Sequence, residues 1–273
     1  MKVAYLGPHG TFSEEAAHNY YKDKSIEWHM CSSVPEVLEA VGEGLVDEGI
    51  APIENAIEGT ITMTVDSLLV NDLYIKGEAI LPVSLHLLAA HEASMKEIKE
   101  VWSIPPALAQ CRAFFRGKKL TMRHFDSTAG AAAAIKEAGR GDVAAVASSY
   151  AGKLFELSTV QANIEDSSEN QTRFIVVSKD KTPSLGAKKT MLQVTPGDEY
   201  TGVLASILTV FSTLGINLTW IESRPTKKKL GTYQFFLEAE ASVADPVLEK
   251  VRAVIETFGH HVNILGSYTT TKL

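Results

Sequence analysis

The feature that most constrains the fold is an alternation of short β-branched runs with Ala-rich amphipathic stretches, from residue 1 to about residue 179. Segments such as KVAYL (2–6) and DVAAVAS (142–148) favour strands, whereas TFSEEAAHNYY (11–21) and STAGAAAAIKEAG (127–139) favour helices. Strands that alternate with helices are typical of α/β layers in which most strands are parallel. We therefore predict an α/β fold for this part of the chain, with the stretch 79–90 forming a strand or a strand pair and 106–115 a helix.

The pattern changes after residue 180. Residues 181–189 (KTPSLGAKK) contain Pro, Gly, Ser and three Lys, which is typical of a linker. From 190 to 273 the order of predicted elements is βαββαβ, with a hairpin at 225–231, and this order is that of a ferredoxin-like domain. The predicted domains are therefore 1–180 and 190–273.

Composition excludes several functional classes. The formal net charge is −7. The nearest approach to a basic face is the run Lys227, Lys228 and Lys229, which we expect in a solvated hairpin tip. We therefore expect no nucleic-acid partner. The apolar run 79–90 is short and contains Pro82 and His86, which argues against a membrane span.

Metal sites and disulfides are not expected either. The two cysteines lie far apart in unlike surroundings, and the eight histidines show no metal-binding spacing. The first residues, MKVAYLGPHG, lead directly into a strand and a Gly loop, without the features of a secretion signal. We expect a protein that acts on a small molecule in the cytoplasm.

Four segments carry polar residues where α/β proteins bind ligands, at the carboxyl ends of strands and the N-termini of helices. They are GPHGTFSEE (7–15), APIENAIEGT (51–60), DSTAGAAAA (126–134) and DSSENQTRF (166–174).

Two of these segments open predicted helices. Thr11 and Ser13 in the first, and Ser127 and Thr128 in the third, offer hydroxyls beside free N–H groups that suit a carboxylate or phosphate. The alternative is simple helix capping, with Thr11 and Glu14 forming a capping box.

The other two segments border strands. Asn55 offers an amide, Thr172 a hydroxyl, and Arg173 can hold a carboxylate bidentately. A turn stabilised by Asn55 and a surface arginine at a loop–strand junction are the structural alternatives.

Together the segments resemble a known family. GPHGTFS (7–13), PIEN (52–55) with Gly59, STAGAA (127–132) and NxTRF (170–174) are similar, in order and spacing, to the motifs of prephenate dehydratases. The C-terminal part resembles an ACT domain, through NLT (217–219) and IESRP (221–225).

The resemblance implies a two-lobed catalytic domain, similar to periplasmic binding proteins, followed by an ACT domain. Lobe one would comprise about 1–78 and 155–180, and lobe two about 79–154, with the four motifs facing one cleft. No fused chorismate mutase is expected, because residue 3 already lies in the first strand.

The implied reaction is the decarboxylating dehydration of prephenate to phenylpyruvate, which needs no cofactor and no metal. Thr172 would be the catalytic donor to the departing hydroxide, and Arg173 would bind a substrate carboxylate. The further substrate-binding residues would be Thr11, Phe12, Ser13, Asn55, Ser127, Thr128, Ala129 and Phe174. No basic cluster is visible around these motifs, so helix dipoles are expected to supply the positive potential that a dianion needs.

The resemblance also implies feedback inhibition by L-phenylalanine, bound between paired ACT domains of a homodimer or homotetramer. The matching positions are Gly202, Val203, Leu204, Asn217, Leu218, Glu222, Ser223, Arg224 and Pro225. A cross-strand surface ion pair is the alternative for Glu222 and Arg224.

Departures from the family pattern are few. The sequence reads Ser-Ile-Pro-Pro-Ala at 103–107, where the family commonly has Ser-His-Pro-Gln-Ala, although Gln110 and Cys111 follow as usual. Ala56 replaces a common Ser, and Val203 replaces an Ala and is expected to narrow the effector pocket. Two other functions stay open: an arogenate dehydratase with the same chemistry, and a two-lobed amino-acid sensor without catalysis.

Overall fold

Two β-sheets organise the chain in the computed structural model, which describes residues 1–198, 200–227 and 230–273. The first elements in chain order are β1 (Lys2–Leu6), α1 (Phe12–Tyr20), β2 (Glu27–Cys31), α2 (Val34–Gly42), β3 (Glu48–Asn55), β4 (Gly59–Thr60), α3 (Thr62–Val70) and β5 (Tyr74–Pro82).

The middle of the chain forms β6 (His86–Ala89), β7 (Glu100–Ser103), α4 (Pro105–Ala109), α5 (Arg112–Phe115), β8 (Thr121–His124), α6 (Thr128–Ala138), β9 (Val143–Ala147), α7 (Ser149–Leu154) and β10 (Ser158–Gln161). The last part forms β11 (Gln171–Ser178), β12 (Lys189–Thr195), α8 (Val203–Thr213), β13 (Leu218–Pro225), β14 (Tyr233–Ala239), α9 (Pro246–Thr257), β15 (His261–Tyr268) and β16 (Thr270–Lys272).

The larger sheet has the strand order β13-β14-β12-β15-β5-β11-β3-β1-β2, with β16 on β5 and β4 on β3. β1 is parallel to β2 and β3, whereas β11 is antiparallel to both β3 and β5. Successive residues of β11 belong to different cores: Phe174 packs with Tyr5 and residues of α1, and Ile175 packs with residues of α2. Adjacent residues of this strand therefore serve opposite faces of the sheet.

The smaller sheet has the order β10-β6-β9-β7-β8. The predicted run 79–90 contributes to both sheets, because Pro82, which has no N–H for the ladder, ends β5 before β6 begins. β5 lies in the larger sheet and β10 in the smaller one, so the crossings between sheets fall later than the predicted lobe limits at 79 and 155.

The observed bounds of α6 agree with the predicted helix 127–139, whereas the predicted helix 106–115 does not form as one helix. Ser127 caps the start of α6 and Gly139, with φ +59°, ends it, which agrees with the predicted helix over 127–139 and with the capping alternative for Ser127. The predicted helix 106–115 is wrong and is replaced by two short helices. Asp166 accounts for the break, because its N–H donates to Gln110 O at 2.6 Å and its carboxylate accepts from Ala113 N at 2.9 Å.

The last six elements before β16 form the predicted βαββαβ unit, whose strands lie in the antiparallel order β13-β14-β12-β15. The α/β fold class with a ferredoxin-like second domain is therefore confirmed. This domain is continuous with the larger sheet, since β15 meets β5 at Gly266 and Ile75. A Cβ at Gly266 would lie 2.5 Å from Ile75 O, so only glycine permits this approach.

The strand β16, which the sequence analysis did not predict, pairs with β5 in parallel. Two of the lysines expected in the hairpin tip, Lys228 and Lys229, lie outside the described residues. Across the described ranges, every helix is too short or too polar to cross a membrane.

Candidate active site

Asn55 and Thr172 form the centre of the candidate site. They lie directly opposite each other on β3 and β11, and Asn55 Nδ2 donates to Thr172 Oγ1 at 3.0 Å. The same amide nitrogen donates to Asn170 Oδ1 at 2.9 Å, and Asn55 Oδ1 accepts from the N–H groups of Ile57 and Glu58 at 3.0 and 3.1 Å. Thr172 is only 9% exposed. The structure therefore brings together two motifs that lie more than a hundred residues apart.

A chain of hydrogen bonds extends from this pair toward the other lobe. Asn170 Nδ2 donates to Gln110 Oε1 at 2.9 Å, and Gln110 Nε2 donates to Glu58 Oε1 at 3.2 Å. Asn170, Gln110 and Glu58 were not among the predicted site residues, although Glu58 and Asn170 lie in two of the four polar segments and Gln110 follows the segment 103–107. Side chains held by several hydrogen bonds keep a fixed orientation, which suits a preorganised site.

The pair lines a cavity of about 130 Å³ between the two sheets. Its lining residues are Phe12, Asn55, Glu58, Val83, Leu85, Ile104, Ala107, Gln110, Thr128, Asn170 and Thr172. Ile104 and Ala107 belong to the Ser-Ile-Pro-Pro-Ala segment, so this segment forms an apolar part of the cavity wall.

The N-termini of α1 and α6 meet at this cavity. Thr11 Oγ1 accepts from Glu14 N at 3.2 Å and Ser127 Oγ accepts from Gly130 N at 2.9 Å, so both hydroxyls act as helix caps. Phe12 and Thr128, the next residues, line the cavity itself.

Gly10 lies where the two lobes touch. Its φ is +86°, and a Cβ there would lie 3.4 Å from Ala129 Cβ and 2.8 Å from Phe155 Cε2. Ser13 is 7% exposed, and Ala129 is fully buried beside Gly10 and outside the cavity lining.

Glu14 is a buried acid that forms only half of the expected capping box: its N–H donates to Thr11 Oγ1, but its carboxylate does not bind Thr11 N. Its carboxylate accepts from Gly10 N at 2.6 Å, His9 Nδ1 at 2.6 Å and Tyr5 Oη at 3.0 Å, rather than from Thr11 N. Burial raises the pKa of this carboxyl, but the lowering by the three hydrogen bonds is larger, so the pKa lies below its ordinary value. Glu14 therefore holds the loop before α1 as an anion.

Arg173 requires a correction, because its side chain lies outside the cavity. Its guanidinium is 2.5 Å from Glu238 Oε2 in the ferredoxin-like domain and 3.3 Å from Glu54 Oε2. The expected grip on a substrate carboxylate fails because neighbouring strand residues point to opposite faces, and Thr172 faces the cavity. Phe174, 1% exposed, packs in the core with Tyr5 rather than in the cavity.

The prediction that no basic cluster accompanies the motifs is also wrong. Residues 112–124 contain Arg112, Arg116, Lys118, Lys119, Arg123 and His124, and no acidic residue. This basic stretch starts two residues after Gln110 and ends three residues before Ser127. Three of its members, Arg112, Arg116 and His124, line a groove of about 450 Å³ on lobe two.

The expected effector residues lie at the start of α8 and along β13. Gly202, with φ +91°, is the N-cap of α8, and Asn217 Nδ2 donates to Glu240 Oε2 at 2.8 Å. Val203, 8% exposed, packs in the core of the ferredoxin-like domain, and Leu204 and Leu218 pack against that core. The core placement of Val203 does not support the expected narrowing of a pocket.

Arg224 on β13 joins the two domains. Its Nε and Nη2 donate to Asp66 Oδ1 and Oδ2 on α3 at 2.9 and 3.0 Å, so the alternative of an ion pair with Glu222 is wrong. Glu222 lies opposite Phe236 in the register, and Ser223 beside it is exposed. The pKa of Asp66 is lowered, first by the hydrogen bond from Arg224. Asp66 and Pro225 also line a cavity of about 330 Å³ between the domains.

Comparison with protein families decides the relationship. The prephenate dehydratase family model matches residues 3–182. The chain belongs to the prephenate dehydratase family. The ACT domain model matches residues 197–256, within the ferredoxin-like domain.

Individual members of the prephenate dehydratase family are similar over the whole chain. A prephenate dehydratase from Bacillus subtilis is 33% identical, and the match covers 100% of this chain and 100% of that protein. An arogenate dehydratase/prephenate dehydratase 2 from Arabidopsis thaliana is 37% identical over 98% of this chain and 72% of its own length. The crystal structure of a prephenate dehydratase from Arthrobacter aurescens in complex with L-Phe is 30% identical, with a TM-score of 0.89, and covers 98% of this chain and 90% of that one.

Proposed function

We propose that this protein is a prephenate dehydratase, which removes CO2 and water from prephenate to give phenylpyruvate. The observation that carries the proposal is the Asn55–Thr172 pair, held in a cavity where the N-termini of two helices meet. Family membership over residues 3–182 supports the same reaction.

Thr172 is proposed as the donor that assists the departing hydroxide. A hydroxyl has one proton to donate, and its oxygen can accept, so the hydrogen bond from Asn55 Nδ2 leaves the Thr172 proton available for the substrate. Accepting that bond also strengthens the hydroxyl as a donor. Aromatisation of the ring supplies the driving force, so the protein needs to hold the substrate and stabilise the departing group.

The substrate carboxylates are proposed to bind at the N-termini of α1 and α6, whose free N–H groups and dipoles attract anions. Ser13 and Thr128 add hydroxyls there, whereas the Thr11 and Ser127 hydroxyls already cap the helices. Arg173 has no place in this binding model. The basic stretch 112–124 gives the −7 protein a local positive potential that draws the dianion toward lobe two.

Substrate entry is proposed to require separation of the lobes. The cavity of about 130 Å³ is smaller than the roughly 300–1,000 Å³ of ordinary ligand pockets. We propose lobe one as about 1–82 and 162–180 and lobe two as about 83–161. Because β12 begins at Lys189, one residue before the predicted domain limit, we propose a linker at 181–188 and the ACT domain at 189–273.

Regulation by L-phenylalanine at the ACT domain is part of the proposal, with a homodimer or homotetramer acting in the cytoplasm. The structural relative that is described in complex with L-Phe supports the effector. Arogenate dehydratase activity is kept as a second candidate, because a relative that is 37% identical bears both names. The sensor hypothesis is set aside, since the relatives have the names of enzymes.

The test is phenylpyruvate production from prephenate, followed by its alkaline ultraviolet absorbance. We expect Thr172→Ala to lower kcat by about 100-fold or more, since it removes the donor, and Thr172→Ser to retain part of the activity. Thermal denaturation of each variant checks that it is folded. A Thr172→Ala enzyme as active as the wild type would refute the role of Thr172, and activity on arogenate alone would favour the second candidate.

A further inference from the structure

A cluster of buried and half-buried charges lies on the sheet face opposite the candidate cavity. It contains Arg173, Lys189, Glu54, Glu78 and Glu238, and we name it the interdomain ion cluster. The side chains of Glu78 and Glu238 are 0% exposed and that of Arg173 is 11% exposed. Charges this deeply buried are costly unless they are paired, so their arrangement is tightly determined.

Glu238 is the centre of the cluster. Its Oε2 is 2.5 Å from Arg173 Nη2 and accepts from Tyr268 Oη at 2.6 Å, while its Oε1 is 3.2 Å from Lys189 Nζ. The hydroxyl of Thr219 also donates to Oε1. Both carboxylate oxygens are therefore occupied by donors.

The members of the interdomain ion cluster come from both domains. Glu54, Glu78 and Arg173 lie on β3, β5 and β11 of the catalytic part, whereas Lys189 and Glu238 lie on β12 and β14 of the ACT domain. Lys189 Nζ is also 3.0 Å from Glu78 Oε2, which adds a second bridge between the domains. Movement of β14 relative to β11 would break these pairs.

The cluster stands directly behind the catalytic pair. In the register of β3 and β11, Glu54 is opposite Arg173, and the next residues, Asn55 and Thr172, are opposite each other. The ion pair and the Asn55–Thr172 hydrogen bond thus use the same two backbone segments and point to opposite faces. A shift of either backbone segment that changes one pair must change the other.

We propose that Arg173 is a positioning residue through which the ACT domain sets the geometry of Thr172 and Asn55. Glu238 holds the guanidinium from the ACT side, and Glu54 holds it from the strand of Asn55. A change in ACT packing reaches Thr172 through this contact. The inference rests on the proposed dehydratase function for its kinetic test, but it also has a test that needs no activity.

The principal variant is Glu238→Gln, which keeps the size of the side chain and removes its charge. Glu249→Gln is the matched control, since Glu249 is an exposed ACT carboxylate paired with Arg252 at 2.9 Å. For Glu238→Gln we expect a lower kcat with KM nearly unchanged, because Thr172 acts on the departing group and not in initial binding. We also expect the L-phenylalanine concentration for half-inhibition to change by about five-fold or more.

A substrate-binding role for Arg173 makes the opposite prediction. Arg173→Lys would then raise KM, and Glu238→Gln on the ACT side would leave kcat and the L-phenylalanine response at their wild-type values. That result would overturn the proposal.

Amide hydrogen exchange of residues 171–174 provides the test that is independent of activity. We expect faster exchange there in Glu238→Gln than in the wild type or Glu249→Gln. Tyr268→Phe removes one donor to Glu238 and keeps every charge, so it serves if Glu238→Gln does not fold. Unchanged exchange at 171–174 in the folded variants would overturn the proposal, whereas an inactive wild type with changed exchange would overturn only the dehydratase function.

Discussion

Gly10 permits a test of how closely the two lobes approach. It has a φ of +86°, and a Cβ at this position would lie 2.8 Å from Phe155 Cε2 and 3.4 Å from Ala129 Cβ. Gly10→Ala therefore combines two effects, backbone strain and a steric wedge between the loop before α1 and lobe two. Gly44→Ala is the matched control, because Gly44 has a φ of +75° and no heavy atom within 4 Å of its ideal Cβ.

The two effects have different sizes. A left-handed backbone costs an ordinary residue about 1–2 kcal/mol, and overpacking adds about 1–3 kcal/mol. We therefore expect Gly44→Ala to lower the free energy of unfolding by about 1–2 kcal/mol and Gly10→Ala by about 2–5 kcal/mol. The difference between the variants measures the wedge.

Urea denaturation of both variants gives the free energies, and initial rates with prephenate give KM. Gly10→Ala should also raise KM, because the wedge separates the N-termini proposed to bind the carboxylates. Equal destabilisation by the two substitutions, together with a wild-type KM for Gly10→Ala, would refute the close contact of the lobes at this loop.

Two further predictions concern regulation and acid stability. Asp66→Asn removes the charge that Arg224 binds bidentately, so we expect a several-fold change in the L-phenylalanine concentration for half-inhibition. Without L-phenylalanine, kcat should be unchanged. An unchanged inhibition by L-phenylalanine would show that the Asp66–Arg224 pair is only structural. The pKa of the buried Glu14 carboxyl is lowered in the folded protein, so its stabilisation is complete above the unfolded pKa of about 4.3 and is lost as the pH falls through the folded pKa. The urea concentration at the unfolding midpoint, measured between about pH 6 and pH 3, should therefore decrease once the pH is below about 4 in the wild type. The decrease should be less steep in Glu14→Gln.

Features determined by neighbouring residues were predictable from the sequence. Ser127 and Gly139 mark the ends of α6 because a side-chain cap and a left-handed C-cap act within a few residues. The βαββαβ order of the ACT domain follows from patterns of the same short range. Asn55 and Thr172 could be singled out separately, but their hydrogen bond depends on the pairing of β3 with β11.

Features determined by distant contacts were not predictable in the same way. The face of Arg173 follows from strand alternation relative to Thr172, so that signal was present in the sequence. Its partner Glu238 lies 65 residues away in another domain, and nothing local indicates it. The split of the predicted helix 106–115 likewise depends on Asp166, which inserts from the returning chain.

The strand β16 affects how the ACT domain could be exchanged between relatives. After β15 the chain returns to the catalytic lobe, where Leu273 N donates to Ile80 O at 3.0 Å and the Leu273 side chain packs against the core that contains Tyr5 and Phe174. The ACT domain is therefore connected to the catalytic lobe at both of its ends, through the linker and through residues 270–273. A chimera that imports a foreign ACT domain must keep the host's own last residues against β5, and a cut at the linker alone would leave a gap in the catalytic core.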